Sequence, residues 1–550
     1  MIKIAYRQFT YSIFVALLVA LPFTGQTAPV LPNPGVQTDI NAKATAAAEK
    51  NTAPSMAEAD LDHTFAVGNI ILTSADIQLK DYSGTLVKYA NRKISFAELN
   101  SLGRKLTQDV RKSGYPAATV YIPPQKIIQG GDLNLAVLPG RYGNITIDNH
   151  SRLKNKIAAG YLAGLEKGEI IKSIELETAM HKLTTVGGIQ VAGLLSAGKE
   201  VGTTDLVVKL SNGKAATEIL YAENYGTISA GRYRYGLQGD VQLAETAGTI
   251  NYALVLSNGG QHNYSLGYNQ NVGHSATKLG LNISRSDYEL GGIYRVLGAQ
   301  GDAFTINLNA TTPLCSTWRD SINLNYGYNY RDLKDEEDNF SLHMKKHSHS
   351  AYVGVNGLVR RGKAAFSYDV TDTLGTLGLD NAHARMLYGG AGTEGRYNKV
   401  SFNASHLQTF DKHFDLLVKY TAQLSNKNLD GSEEIVLGGI NGVRAYPTSV
   451  GSGDEGYVAN LEFRYHTGVP GLTLSSYIDM GHVKVTHDSS SASYGGETAT
   501  GWGVGVTYAK QNCYFTRLDY ARRIGGLSYY THEKDAQDRD RLWFMAGAMF

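Results

Sequence analysis

Arg444, Glu462 and Asp479 are the residues whose types and spacing point to chemistry, and that chemistry is an ion clasp rather than a reaction. Arg444 lies in a glycine-rich stretch, LGGINGVRAYPTSVGSGDEG, that fills 437–456. Two segments of alternating pattern follow it. In the first, Tyr457, Ala459, Leu461, Phe463 and Tyr465 share one parity, and Asn460, Glu462, Arg464 and His466 share the other. In the second, Leu472, Leu474, Ile478 and Met480 oppose Thr473, Ser475, Tyr477, Asp479 and Gly481. Period-two alternation makes each segment a strand with one apolar and one polar face. If these strands line something hollow, a loop folding back inside brings the Arg444 guanidinium to an inward carboxylate, where a charge-assisted contact can hold it. A reversed pair, Arg444→Asp with Asp479→Arg, is then expected to recover part of what the clasp does. Glu462, also inward by parity, is the rival partner for Arg444.

Other chemistry is thin. The chain has no G-x-S-x-G, H-E-x-x-H or Walker A pattern: His532-Glu533 lacks a second histidine, and Gly451 to Gly456 contains no lysine. His343, His347 and His349, beside Asp335 to Asp338, could ligate a metal, but a solvated surface hairpin is the preferred reading because such spacing is common and no cysteine joins it. Cys315 and Cys513 allow at most one disulfide and match no metal-ligand spacing. A formal charge of +2 without a basic stripe gives no pull toward nucleic acid. No enzymatic activity, cofactor or metal is expected.

The elements that must position the three charges are strands. Tyrosine (35) and glycine (61) are abundant and proline is scarce (12), which suits amphipathic membrane strands with interfacial aromatics. The longest apolar run, Ile13 to Leu21, follows Lys3 and Arg7 and leads into small residues from Thr24 to Ala28. That is the layout of a secretory signal over 1–28, with cleavage between Gly25 and Ala28. Residues 29–62 form an Ala-, Pro- and Thr-rich linker, in which Thr38 to Asn51 reads either as a short pore-plugging helix or as a plain spacer.

Two modules of one design follow, over 63–140 and 141–212. The first reads as a strand FAVGNIIL, a helix opened by the capping box Ser95/Glu98 and ended by Gly114, then strands AATVYI and LNLAVL. The second repeats this with NITI, helical segments near 153–164 and 173–184, GIQVAGL and TDLVVKL. After Lys214 the texture is alternation throughout, as in NYSLGYN, FTINLN and INLNYGYNY, where the polar face is uncharged amide and glycine. An amide-rich face suits a wet lumen and a tyrosine-rich one suits lipid, so 213–550 is expected to be a barrel, with room for sixteen strands at about 21 residues each. The last strand places Leu542, Phe544, Ala546, Ala548 and the terminal Phe550 on one parity.

With these motifs in place, the chain resembles the outer-membrane transporters of two-partner secretion, the haemolysin secretion/activation family, over nearly its whole mature length. The resemblance implies α+β periplasmic POTRA-like modules followed by an all-β transmembrane barrel of sixteen antiparallel strands. A long loop carries a VRG(Y/F) tip into the pore, where its Arg meets the Asp of an (F/G)xDxG strand. Val443, Arg444, Ala445 and Tyr446 match the tip, and Tyr477, Asp479 and Gly481 match the strand, with Ala445 for glycine and Tyr477 for Phe or Gly. Ala445 fits if its φ is negative and is costly if positive. Phe550 resembles the targeting terminus of bacterial outer-membrane barrels. The implied function is export of a large unfolded partner, of haemolysin, adhesin or toxin type, without ATP. The implied partners are that exoprotein, outer-membrane lipids, and periplasmic chaperones with the barrel-assembly machinery for biogenesis. Three rivals stand beside it: a barrel-assembly factor of the same superfamily, a diffusion porin, and an outer-membrane protease or lipase.

Overall fold

The computed structural model describes residues 64–126, 128–273, 275–448, 450–488, 496–525 and 537–550. The expected signal (1–28) and the linker with its Thr38–Asn51 segment lie outside the described residues.

In the first module the helix Phe96–Lys112 starts where the capping box places it. Ser95 Oγ accepts from the Glu98 N–H and Glu98 Oε2 accepts from the Ser95 N–H, each at 3.2 Å. Leu99, Leu102, Leu106 and Val110, spaced three or four apart, are buried against the sheet. The segment expected as one strand is two. Thr64–Val67 pairs antiparallel with Arg92–Ser95, while Ile70–Thr73 runs parallel to Leu133–Leu138, which also pairs with Thr119–Tyr121. The break falls at Gly68, where another backbone passes close by. Its N–H donates to Gly131 O at 2.7 Å, and a Cβ there would lie 2.8 Å from the Gly130 carbonyl oxygen.

The second module lays helices Asn155–Leu162 and Ser173–Thr184 on a sheet in which Arg141–His150 runs parallel, and Ile189–Ala197 antiparallel, to the central Thr203–Asn212. Its core of Tyr142, Leu153, Ile171, Met180, Leu183, Leu206 and Val208 extends to Ala247 and Ala276, in turns between the following strands. His181 also reaches the rim of those strands, with Nδ1 2.6 Å from Ser316 Oγ and its ring edge-on to Trp318 at 5.1 Å.

Sixteen antiparallel strands then close into a barrel, from Ala216–Glu223 to Asp540–Met549, and the last pairs with the first. Alternation decides which side chain goes where. Leu266, Leu308, Leu374, Leu424, Ile478 and Leu542 stand exposed on the outer wall. Inward positions hold amides bonded to one another: Asn269 Nδ2 donates to Asn251 Oδ1 at 2.5 Å, and Asn307 Nδ2 to Asn329 Oδ1 at 2.6 Å. An apolar exterior around a hydrogen-bonded polar interior, with no free sheet edge, is what a lipid bilayer requires of strands. Among the described residues no helix is long and apolar enough to span a membrane.

Candidate functional site

The chain between strands Phe414–Ser425 and Glu455–His466 turns into the barrel instead of leaving it. A two-residue ladder, Ile435–Val436 with Ser452–Gly453, opens this loop. Below it the Gly439 N–H donates to Tyr446 O at 2.9 Å and the Val443 N–H to Leu437 O at 2.8 Å, which draws the tip into a tight knot. Gly439 (φ 95°) and Gly451 (φ 73°) supply left-handed turns that a side chain would resist. Val443, Arg444, Ala445 and Tyr446 are all buried there with Leu437, Tyr477 and Val483.

Arg444 is held on every side. Nε donates to Asp479 Oδ2 at 2.8 Å and Nη2 to Asp479 Oδ1 at 2.7 Å, a bidentate fork, while its backbone N–H donates to Asp479 Oδ2 at 3.1 Å. Nη1 donates to Glu462 Oε2 at 2.7 Å, and the guanidinium carbon lies 3.3 Å from the Tyr477 ring centroid. Glu462 is therefore a second partner and not an alternative one. Asp519 stands 4.0 Å from Nη1 and is itself forked by Arg517, and Arg464 pairs with the other oxygen of Glu462. The reversed pair would put an aspartate at 444 near Glu462 and Asp519, a like-charge repulsion that works against the expected recovery. The site is also drier than a water-filled lumen. Arg444 is 4% exposed and Asp479 1%.

Both departures from the family pattern have a local reason. Ala445 is not among the residues with positive φ, and its methyl faces Gly501, where an added Cβ would lie only 2.4 Å away. The Tyr477 ring covers the guanidinium, and its hydroxyl donates to Tyr520 O at 3.2 Å. Gly481 leaves room for Leu437 of the loop, because a Cβ there would meet Leu437 Cδ1 at 2.7 Å.

Several contacts were not foreseen from the sequence. Trp543 Nε1 donates to the Arg444 carbonyl at 2.7 Å, and Asn460 Nδ2 bonds both Asp479 and Gly442 O. A second set of ion pairs of opposite polarity holds the descending limb of the loop. Asp430 receives Lys346 at 2.9 Å, and Glu433 receives Arg331 at 2.8 Å and Lys399 at 2.7 Å. The signal was the acidic run at 430–434 facing inward cations on three distant strands, which no local pattern links.

The histidine group does not assemble as one site. Asp335 is buried against Lys346 and the Tyr288 hydroxyl; His347 turns to Asp380 and His349 to Tyr328. Glu336, Asp338 and His343 do meet on an exposed rim, where Gln300 Nε2 donates to both carboxylates. Cys315 and Cys513 are free thiols. Phe550 continues the closing edge, its N–H donating to Glu218 O at 2.9 Å and its carbonyl accepting from Lys214 Nζ at 3.0 Å.

Residues 202–508 match the family described as haemolysin secretion/activation protein ShlB/FhaC/HecB, and residues 69–140 match the ShlB-type POTRA domain. Among curated proteins, the heme/hemopexin transporter protein HuxB of Haemophilus influenzae strain 86-028NP is 25% identical over 471 residues, 83% of this chain and 82% of its own. The hemolysin transporter protein HpmB of Proteus mirabilis is 22% identical over 505 residues, covering 88% and 86%. Among solved structures, CdiB from Escherichia coli superimposes with a TM-score of 0.67 at 18% identity, over 95% of this chain and 100% of that one. BamA from Haemophilus ducreyi lacking POTRA domains 1–3 gives 0.53 at 14% identity over 88% and 100%, a likeness of fold alone.

Proposed function

The chain belongs to the haemolysin secretion/activation family, and from that premise we propose that it exports a large secreted partner in an unfolded state, without ATP, and that the Arg444 clasp sets the position of the pore loop during export. The barrel lies in the outer membrane and the amino-terminal modules in the periplasm, as in the rest of the family. The observation that carries the reading is a loop tip buried inside a closed barrel on a charged wall, above two modules at the other mouth. A diffusion porin has no use for such a tip or such modules. The relatives named as transporters of heme/hemopexin and of hemolysin support a transported partner, whereas the likeness to BamA concerns the fold only.

The physical steps follow from the parts. Ile70–Thr73 is an edge strand with a groove beside it lined by Leu79, Tyr82, Leu86 and Val87, and an extended chain can add to such an edge through main-chain hydrogen bonds whatever its side chains. An unfolded partner captured there would pass into a lumen whose amides, beside the charged groups that seat the loop, can bond to any backbone. Refolding outside would make the transfer directional, which is why no nucleotide is required. Phe550 would serve chaperones and the assembly machinery that insert the barrel, and outer-membrane lipids would cover its apolar wall.

The test is reconstitution of the full chain and of a variant lacking Phe65 to Leu210 into liposomes with an unfolded partner and no nucleotide. The full chain should deliver protease-protected partner. The deletion should fail to do so, while still migrating as an SDS-resistant band that shifts on heating. Delivery by the deletion variant would overturn the capture role, and a strict requirement for ATP would overturn the passive mechanism.

A further inference from the structure

We propose that the loop tip is also the brace of the barrel's closing seam, with Trp543 as the positioning residue through which tip and seam move together. The seam is short. The last strand pairs with the first at five positions, Met545–Met549 against Glu223–Ile219, whereas its other neighbour pairs with it at nine and the first strand's other neighbour at eight. On the seam side, Asp540–Phe544 therefore has no strand beside it. An open strand edge at membrane depth is costly unless its polar groups are met in another way.

Side chains and the loop meet them here. Asn224, just past the first strand, imitates a ladder rung: Nδ2 donates to Leu542 O at 2.8 Å and Oδ1 accepts from the Phe544 N–H at 2.8 Å. Tyr225 follows, its ring edge-on to Trp543 at 5.8 Å. Trp543, 1% exposed and of inward parity between outward Leu542 and Phe544, turns its N–H to the Arg444 carbonyl at 2.7 Å. From the loop side Thr448 Oγ1 donates to Tyr225 O at 3.3 Å. The tip thus touches the last strand at Trp543 and the segment just past the first strand at Tyr225, at the level where the pairing of the two strands runs out. Two elements that brace each other are thermodynamically linked: freeing the tip loosens the seam, and loosening the seam favours departure of the tip by the same factor.

The donor is a side chain and the acceptor a backbone carbonyl, so the two ends of the coupling can be perturbed separately. Trp543→Phe keeps an aromatic ring near Tyr225 but removes the N–H together with part of the buried indole, while Arg444→Ala keeps the carbonyl and releases the tip from its acids. Hydrogen exchange of the purified full-length protein, with no secreted partner present, reads both regions at once. Trp543→Phe should speed exchange about threefold or more in both 437–448 and the seam segments 219–225 and 540–544, leaving the strand Asp320–Glu337 at the parent rate. Arg444→Ala should do the same, and the double variant should be no faster than the faster single. Faster loop exchange in Arg444→Ala with an unchanged seam would overturn the coupling, as would parent rates throughout in Trp543→Phe. Should Trp543→Phe not fold, Thr448→Val, which removes only the hydroxyl donated to Tyr225, carries the same comparison. Because nothing is exported in this measurement, its outcome is independent of the transport reading.

Discussion

At the scale of single residues, the clasp works because Arg444 satisfies two carboxylates at once in a dry setting. Deleting one partner of a buried ion pair typically costs ~3–5 kcal/mol, since the other charge is stranded. The cost here is uneven. Without Asp479, Arg444 keeps Glu462; without the Arg444 side chain, Glu462 keeps Arg464 and Arg517, whereas Asp479 keeps Asn460 and the backbone N–H of residue 444 but, among the described residues, no cation. Parity in the sequence showed that Glu462 and Asp479 both face inward, but not that one guanidinium could reach both, because that depends on the barrel's curvature and on where the loop descends. The fit of Ala445 was equally hidden, since the space for its methyl is made by Gly501 on another strand. That fit is testable. Gly501→Ala adds a methyl where only 2.4 Å is free and should lower the temperature at which the SDS-resistant band converts to the unfolded form. Ala445→Gly in the same chain should restore it. Parent-like behaviour of Gly501→Ala, or a double variant no better than the single, would contradict the packing described.

At the scale of elements, what was legible had a local cause. The helix Phe96–Lys112 announced itself by its capping box and its apolar spacing, and the barrel strands by alternation. The division of FAVGNIIL into two strands was not legible, because its cause is a backbone that approaches Gly68 from 130–131, far along the chain. Docking of the second module on the barrel rim was hidden for the same reason, and it brings a pH dependence. Burial, and then the nearby Arg360, hold His181 below the ordinary histidine value; Glu177 and Arg319 are the other charges facing the contact, with Ser316 and Trp318 the neutral partners. The docked state therefore favours the neutral ring. An undocked His181 titrates near 6.5, so docking is at full strength above about that pH and weakens as pH falls below it. Spin labels on the module and the rim, in a chain with Cys315 and Cys513 replaced by serine, should show a distance distribution that broadens between about pH 8 and about pH 5.5. His181→Gln should remove the change, and a distribution insensitive to pH in the parent would contradict this account of the contact.

At the scale of the whole molecule, alternation pointed to a barrel and chain length left room for sixteen strands, but the strands run from 8 to 20 residues, so length alone could not fix their number. What they could not convey is that the barrel's weakest line, its five-pair seam, lies against the same loop tip that the charged wall holds. The loop tip and the seam thus touch inside the barrel, and on the proposed function the seat of the tip controls passage through it. Strand hydrogen bonding is the main closure of the barrel, so losing the clasp should loosen the seam locally, leave the barrel closed and stop transport. The most direct measurement is the amount of partner protein at the cell surface in strains carrying the parent, Arg444→Lys and Arg444→Ala at matched levels of heat-modifiable barrel. Surface partner should fall partway with lysine, which keeps the charge but not the fork. With alanine it should nearly vanish and the partner should accumulate in the periplasm, whereas export at the parent rate by Arg444→Ala would contradict the claim.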